Sequence, residues 1–259
     1  MKDLGHELWS ALQPIIDADT GQVVGHEALL RGGPGTSWES PGVLFAAATR
    51  LGYRDILEAN ARRLALQRLG DLPAHQFLFM NVDVLSLDIP TVVGVREVPS
   101  HRVALELSEQ QPVLDNPLLL QQVDNWRAAG HPIALDDYGA GYMGPGAILT
   151  LRPDILKLDR AIIVDIDSDR WKQEVVKAVA ALCHTLGIAV IAEGVETPGE
   201  FVALRQAGVR YAQGFLFGRP ERRPRLEPVA LPEHPLPAHR VVELPGRRRH
   251  DRVSEQAGG

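Results

Sequence analysis

The chain has 259 residues, 45% of them apolar, and a formal charge of −6. That allows one large domain or two small ones with a sizeable core, and it excludes a generic basic nucleic-acid binder. A lone cysteine, Cys183, excludes an intramolecular disulfide framework and a cysteine-built metal site. No apolar run approaches the roughly 18 residues of a membrane span, and residues 1–7 lack the apolar core of a signal peptide, so a reducing cytoplasm is the expected location.

Short runs rich in branched and aromatic residues recur along the body, at 13–17, 23–29, 77–82, 103–107, 132–136, 155–158, 188–192 and 209–215. They read as strands. Asp17-Ala18-Asp19-Thr20-Gly21 is a turn between the first two, which predicts an antiparallel hairpin. Amphipathic stretches at 54–70, 117–130, 170–187 and 198–208 read as helices, and strands joined through helices are expected to be parallel. Eight strands with interleaved helices in residues 1–220 predict a (β/α)8 TIM-like barrel with one antiparallel strand near the N-terminus; an open doubly wound sheet is the alternative. Residues 221–259 hold eight Arg, six acids and six Pro. This segment reads as an extended or disordered, solvated tail, whose Arg247-Arg248-Arg249 run could meet an acidic partner.

A polar residue stands where most of these apolar runs stop. Val23-Val24-Gly25-His26 leads to Glu27, and Phe77-Leu78-Phe79-Met80 leads to Asn81. Val103-Ala104-Leu105 leads to Glu106, and Ile133-Ala134-Leu135 leads to Asp136 and Asp137. Ile155-Leu156 leads to Lys157, Ala189-Val190-Ile191-Ala192 to Glu193, and Val209-Arg210-Tyr211-Ala212 to Gln213. In a barrel these strand ends form one rim, where active sites are built. Each carboxylate alone would read as a cap or half an ion pair; together, with Glu109 and Glu196 close behind, they make seven against the single Lys157. Two like charges 4 Å apart repel by about 4 kcal/mol at an effective dielectric near 20. Such a cluster takes up protons or binds cations, and oxygen ligands with one amide favour Mg2+ or Mn2+ over zinc. Two such ions suit hydrolysis of a phosphate ester by in-line attack of water. Strand side chains alternate faces, so Asp136 and Asp137 both reach the site only if the strand is interrupted between them.

Gly139-Ala140-Gly141-Tyr142-Met143-Gly144 matches the G-x-G-x-x-G outline of a dinucleotide fingerprint, with Asp159 20 residues beyond Gly139. The helix that follows is barely two turns, and two carboxylates before the glycines would repel a pyrophosphate. A loop over a metal site is the preferred reading. His26-Glu27 lacks the second histidine of a zinc-protease helix, and Ser37, Ser40, Ser86, Ser100 and Ser108 lack a nucleophile-elbow setting. Cys183 lies in an apolar helical stretch and reads as a buried thiol.

The ordered set of motifs resembles the EAL-domain family of cyclic di-GMP phosphodiesterases, over about residues 8–220. It comprises Gln13-Pro14-Ile15-Ile16-Asp17, Thr20-Gly21-Gln22-Val23-Val24-Gly25-His26-Glu27-Ala28-Leu29-Leu30-Arg31, Asn81, Glu106-Leu107-Ser108-Glu109 and Asp136-Asp137-Tyr138-Gly139-Ala140-Gly141-Tyr142. It continues with Asp154-Ile155-Leu156-Lys157-Leu158-Asp159-Arg160, Ala192-Glu193-Gly194-Val195-Glu196-Thr197 and Gln213-Gly214-Phe215-Leu216-Phe217-Gly218-Arg219-Pro220. The resemblance implies metal-dependent hydrolysis of cyclic di-GMP to linear pGpG by a homodimeric barrel. It implies Glu27, Asn81, Glu106 and Asp136 as ligands of one Mg2+ or Mn2+, and Asp136, Asp137 and Glu193 as ligands of a second. Lys157 would hydrogen-bond the attacking water, with Glu193 cast either as a ligand or as general base. Glu109 would brace the loop at 138–145, Glu196 and Gln213 would support site and substrate, and Arg31 would pair with a substrate phosphate.

Three departures stand out. Gly32 replaces the Trp or Tyr that usually follows the Arg of the first motif. Met143-Gly144-Pro145 replaces a small polar pair in the loop that couples the metal site to dimerisation. The closing helix after Pro220 is absent from the pattern. Some members of the family keep the fold and serve as cyclic di-GMP receptors or interaction modules; this chain keeps the ligand set, which favours the hydrolase.

Overall fold

The computed structural model describes residues 8–82, 99–108, 116–140, 144–232 and 242–245. Eight strands close a barrel in chain order: β1 (Trp9–Asp17), β2 (Val23–Arg31), β3 (Phe77–Asn81), β4 (Val103–Ser108), β5 (Ile133–Tyr138), β6 (Ile155–Leu158), β7 (Ala189–Ala192) and β8 (Tyr211–Gln213). β1 runs antiparallel to both β2 and β8, and every other neighbouring pair is parallel. The predicted (β/α)8-like barrel with one antiparallel strand is therefore the fold, and the open-sheet alternative is excluded.

The β1–β2 hairpin follows from its turn chemistry. The Asp17 carboxylate accepts from the N–H groups of Asp19 and Thr20 at 2.9 and 3.2 Å, and Arg210 donates to its other oxygen at 3.0 Å. An aspartate that folds the backbone back on itself two residues on is a local turn signal. Gly21, at φ 71°, supplies the left-handed residue that closes the turn.

Seven helices lie among the described residues: α1 (Pro41–Leu51), α2 (Arg54–Gln67), α3 (Pro117–Ala128), α4 (Pro145–Leu151), α5 (Arg160–Ile163), α6 (Arg170–Leu186) and α7 (Pro198–Gln206). The sequence periodicity finds α2, α3, α6 and α7 within a few residues. It misses α1, whose capping position Ser40 and Pro41 start a helix that buries only Leu44 and Ala47. None of these helices is long and apolar enough to cross a membrane.

Period-two alternation sorts each strand into an outward and an inward row. The outward row (Leu78, Leu105, Leu135 and Leu156 among others) meets Leu119, Trp126, Ile148, Cys183 and Phe201 from the helical layer. The inward row is apolar below: Ile15, Val24, Phe77, Phe79, Ala104, Ala134, Ile155, Ile191 and Tyr211 form a second cluster inside the barrel. Two residues further along, the same inward row turns polar, at Asn81, Glu106, Asp136, Lys157, Glu193 and Gln213.

The described tail residues form no helix and most of residues 221–232 are exposed, but two side chains, Val229 and Leu244, are buried against the barrel. Glu221 exchanges backbone hydrogen bonds with Leu12, and the Val229 N–H donates to the Gly21 carbonyl at 2.9 Å. Arg68 donates to the carbonyls of Ser10 and Arg222, which fastens tail to strand. Leu244, fully buried, joins the cluster inside the barrel, where its N–H meets the Tyr211 hydroxyl at 3.2 Å. Composition does not mark these two anchors, because the segment's few apolar residues lack periodicity. Arg247-Arg248-Arg249 lies outside the described residues.

Candidate active site

The polar inward row converges at the end of the barrel where the parallel strands finish. Lys157, fully buried on β6, stands at the centre. Its Nζ lies in contact with Glu106 Oε1, 2.5 Å from Glu193 Oε1, 3.0 Å from Asp136 Oδ1 and 3.6 Å from Glu27 Oε2. Burial alone would push this ammonium down, but the carboxylates of Asp136, Glu106, Glu193 and Glu27 win and hold it well above its ordinary value. Burial pushes the carboxyls of Glu106 and Glu193 well above theirs, against the pull of Lys157. Four acids around one cation leave an excess of negative charge that protons or other cations must offset.

Asn81 and Gln213 hold the ring from either side. Asn81 Nδ2 donates to Glu27 at 3.1 Å and to Glu106 at 3.2 Å. Gln213 Nε2 donates to Glu27 at 2.6 Å and to Gln13 Oε1 at 3.2 Å. On β5 the alternation problem is solved by a break in register between Leu135 and Tyr138. Asp137 takes a left-handed φ of 57°, so it and Asp136 both face the rim. Oxygens of Asp136, Asp137 and Glu193 lie within 4.8 Å of one another, a spacing that suits one divalent cation. Burial, then the neighbouring Asp136, raises the Asp137 carboxyl, while a 2.8 Å hydrogen bond from Ser108 Oγ opposes the rise. The candidate ligand atoms are all oxygens, Asn81 offering its amide oxygen; that chemistry fits a hard divalent cation such as Mg2+ or Mn2+.

Of the remaining predicted residues, Glu196 lies at the rim and pairs with Arg160 at 3.0 Å. Arg31 is half-buried at the end of β2, donates to the Leu30 carbonyl at 2.8 Å, and has its pKa lowered by burial. Glu109 and Met143 lie outside the described residues. A cavity beside the ring is lined by Gln13, Glu27, Asp159, Arg160, Glu193, Glu196, Gln213 and Phe215. Sequence reasoning gives no role to Gln13, which braces Gln213, or to Ser108, which braces Asp137. The signal for Gln13 is a lone amide in an apolar strand, facing Glu27 across the hairpin. His26 faces away from the site; buried behind the sheet, it is lowered to about 4 chiefly by desolvation, which keeps it neutral. The glycine segment after β5 leads into a helix of only seven residues, α4, too short for a dinucleotide crossover.

Gly32 has a structural reason. A Cβ there would sit 2.1 Å from the Trp38 carbonyl oxygen. The Trp38 backbone passes over Gly32 at the end of the 33–39 loop, and Trp9 Nε1 donates to the Gly32 carbonyl at 2.9 Å.

Comparison with known proteins agrees with this geometry. The EAL domain family profile matches residues 4–220. A probable cyclic di-GMP phosphodiesterase of Escherichia coli K12, PdeB, is 33% identical over 222 residues, which cover 80% of this chain and 41% of PdeB. The solved manganese and cyclic di-GMP complex of Klebsiella pneumoniae BlrP1 superposes with a TM-score of 0.76 at 33% identity, covering 82% of this chain and 56% of that one. The cyclic di-GMP complex of the MucR phosphodiesterase gives 0.74 at 28% identity, covering 83% of this chain and 92% of that one. The chain spans less than half the length of the first curated relatives it matches. On the matched length, the strand order and the ordered motifs, the chain belongs to the EAL-domain family.

Proposed function

We propose that this domain hydrolyses cyclic di-GMP to linear pGpG with two divalent cations, Mg2+ or Mn2+. The observation that carries the reading is the buried ring of acids around Lys157 at the strand ends. Glu27, Asn81, Glu106 and Asp136 would hold one cation; Asp136, Asp137 and Glu193 would hold the other, with Asp136 shared. The cations supply Lewis acidity toward the attacking water and the phosphoryl oxygens.

The chain's own groups then have distinct tasks. Lys157 pulls the neighbouring carboxyls toward their charged form and presents N–H groups to the attacking water. Glu193, in contact with Lys157, is placed either as a ligand or as acceptor of that water's proton. Arg31 pairs with a substrate phosphate, and Gln213 and Glu196 hold the substrate wall, with Glu109 bracing the adjoining loop. Water adds to phosphorus while the bond to the 3′ oxygen breaks, and that oxygen leaves as a hydroxyl with a proton, giving a 5′ phosphate on linear pGpG.

Two further parts belong to the reading. A homodimer is favoured by Trp171, Val175, Leu182 and Leu186, an exposed apolar strip along one face of α6 that a second copy would bury. A cytoplasmic location is favoured by the single cysteine, a free buried thiol.

The test is product analysis of cyclic di-GMP incubated with purified protein and Mg2+ or Mn2+, beside Glu27→Ala. Linear pGpG that needs both the metal and Glu27 supports the reading. Folded protein that binds cyclic di-GMP without turning it over would instead be a receptor.

A further inference from the structure

Glu200, on the first turn of α7, belongs to none of the roles above, yet it is a carboxylate only 4% exposed. Its Oε1 accepts from the Asp165 N–H at 3.2 Å, and its Oε2 accepts from the N–H groups of Glu196 and Thr197 at 2.9 and 3.0 Å. In return the Thr197 hydroxyl oxygen accepts from the Glu200 N–H at 3.2 Å. The Thr197–Glu200 exchange is an ordinary capping box and needs only one of those carboxylate bonds. The bonds to Glu196 and Asp165 are additional.

Asp165 lies 35 residues earlier in the chain, between α5 and α6. Its φ of 58° is left-handed, which a non-glycine residue holds only where its surroundings impose it. That turn aims its N–H at Glu200. Burial pushes the Glu200 carboxyl up, but the N–H donors of Glu196, Thr197 and Asp165 outweigh burial and hold it below its ordinary value, so it is ionised at neutral pH.

The two segments tied by this carboxylate form one wall of the site. The segment after β6 carries Asp159 and Arg160; the segment after β7 carries Glu193, Gly194 and Glu196. They meet a second time at the surface, where Arg160 pairs with Glu196 at 3.0 Å. Gly194, at φ 67°, makes room: a Cβ there would stand 2.6 Å from Arg160 Cγ.

We propose that Glu200 is a positioning residue, which locks the β7–α7 segment to the segment after β6 and so fixes Glu193 against Lys157 before substrate arrives. The catalytic half of this proposal rests on the phosphodiesterase reading. A cap that merely stabilised α7 would leave kcat alone; a tie that sets the Glu193–Lys157 geometry would not, since misplacing a reacting group by about 1 Å can cost 100-fold.

Glu200→Gln keeps the volume and one acceptor oxygen but turns an amide nitrogen toward a backbone donor; Glu200→Ala removes all three bonds. Thr197→Ala removes the other half of the capping box and leaves Glu200 its partners. With Mg2+ or Mn2+ and cyclic di-GMP, kcat should fall about 10-fold in Glu200→Gln and about 100-fold in Glu200→Ala, with KM within about threefold. Thr197→Ala should stay within about threefold in kcat despite a comparable loss of thermal stability. Hydrogen exchange on metal-free protein gives a readout independent of turnover: the amides of Asp165, Glu196 and Thr197 should lose protection together in Glu200→Gln. Unchanged kcat in both Glu200 variants, unchanged exchange at Asp165, or an equal loss of kcat in Thr197→Ala would each overturn the proposal. If the parent protein turns over no cyclic di-GMP, the phosphodiesterase reading fails, and the exchange result alone decides whether Glu200 ties the two segments. If Glu200→Ala fails to fold, Glu200→Gln decides.

Discussion

Lys157 is the residue on which the site's electrostatics turn. It is fully buried and faces four carboxylates, so removing its charge leaves several acids without their counter-charge. Breaking a buried ion pair from one side costs about 3–5 kcal/mol. For Lys157→Met in EDTA, calorimetry should show a Tm lowered by roughly 6–20 °C, at about 2–4 °C per kcal/mol for a domain of this size. Saturating Mn2+ should raise the Tm of this variant more than that of the parent, because the cation then meets more uncompensated charge; under the proposed function, hydrolysis of cyclic di-GMP should fall at least about 100-fold. An equal Mn2+ increment in both proteins would show that Lys157 and the cation do not share the acidic ring.

The same ring sets a pH dependence. Glu106 and Glu193 are raised well above 4.5 in the folded state. A carboxyl raised on folding contributes stability that is present below its unfolded pKa and lost as pH rises through the folded one. In EDTA the Tm should therefore fall as pH rises above 4.5 toward neutrality, and divalent cation should remove most of that fall; a Tm that rises with pH in EDTA would contradict the picture. The residues of this ring were legible in the sequence as polar stops to apolar runs, since a parallel strand's end is also the barrel's rim. Gln13 and Ser108 were not, because each acts by touching a functional residue on a different strand, and that contact is set by register.

At the scale of elements, β5 is where the strand rule and the site's needs collide. A regular strand would send Asp137 behind the sheet. The register break and the left-handed φ of 57° turn it to the rim, at a cost of order 1–3 kcal/mol for a non-glycine residue. Asp137→Gly should therefore be at least as stable as the parent in EDTA, because glycine takes this conformation freely and a partly buried carboxylate is removed. Under the proposed function it should hydrolyse cyclic di-GMP at least about tenfold more slowly. Thermal melts paired with product assays check both halves; a variant that is less stable in EDTA would mean Asp137 is held there by favourable contacts, not by function. The doubled carboxylate was readable as a problem from sequence alone. The interruption that solves it was readable too, as the only way both side chains reach one rim; which residue takes the left-handed φ was not, since nothing in Leu135-Asp136-Asp137-Tyr138 singles out Asp137 over Asp136. α1 escaped for the opposite reason: apolar residues stand on its exposed side (Val43, Leu51) as well as its buried one (Leu44, Ala47), so no polar face sets off a stripe.

At the scale of the whole molecule, the family match ends at residue 220 but the packed structure does not. The barrel interior is an apolar stack beneath the acidic ring, and its last member comes from the tail: Leu244, fully buried against Ile15, Phe77 and Tyr211 among others. Arg210 reaches Glu243 at 3.7 Å, and Val229 is buried over the first hairpin. Proline-rich composition hides such a segment, because a chain that contributes single anchoring side chains to a distant surface leaves no periodic trace. Losing one buried leucine to alanine costs about 2–5 kcal/mol. Truncation after Pro220, which removes Leu244, Val229 and the Glu221 pairing with Leu12, should lower the Tm by at least about 10 °C. Truncation after Pro245 should leave it within about 2 °C, and Leu244→Ala should fall between the two. These outcomes would set the folding boundary about 25 residues beyond the family boundary. Equal melting of the two truncations would instead mean that the lower end of the barrel is stable when open, and that the buried leucine contributes little to a core already closed by Phe77 and Tyr211.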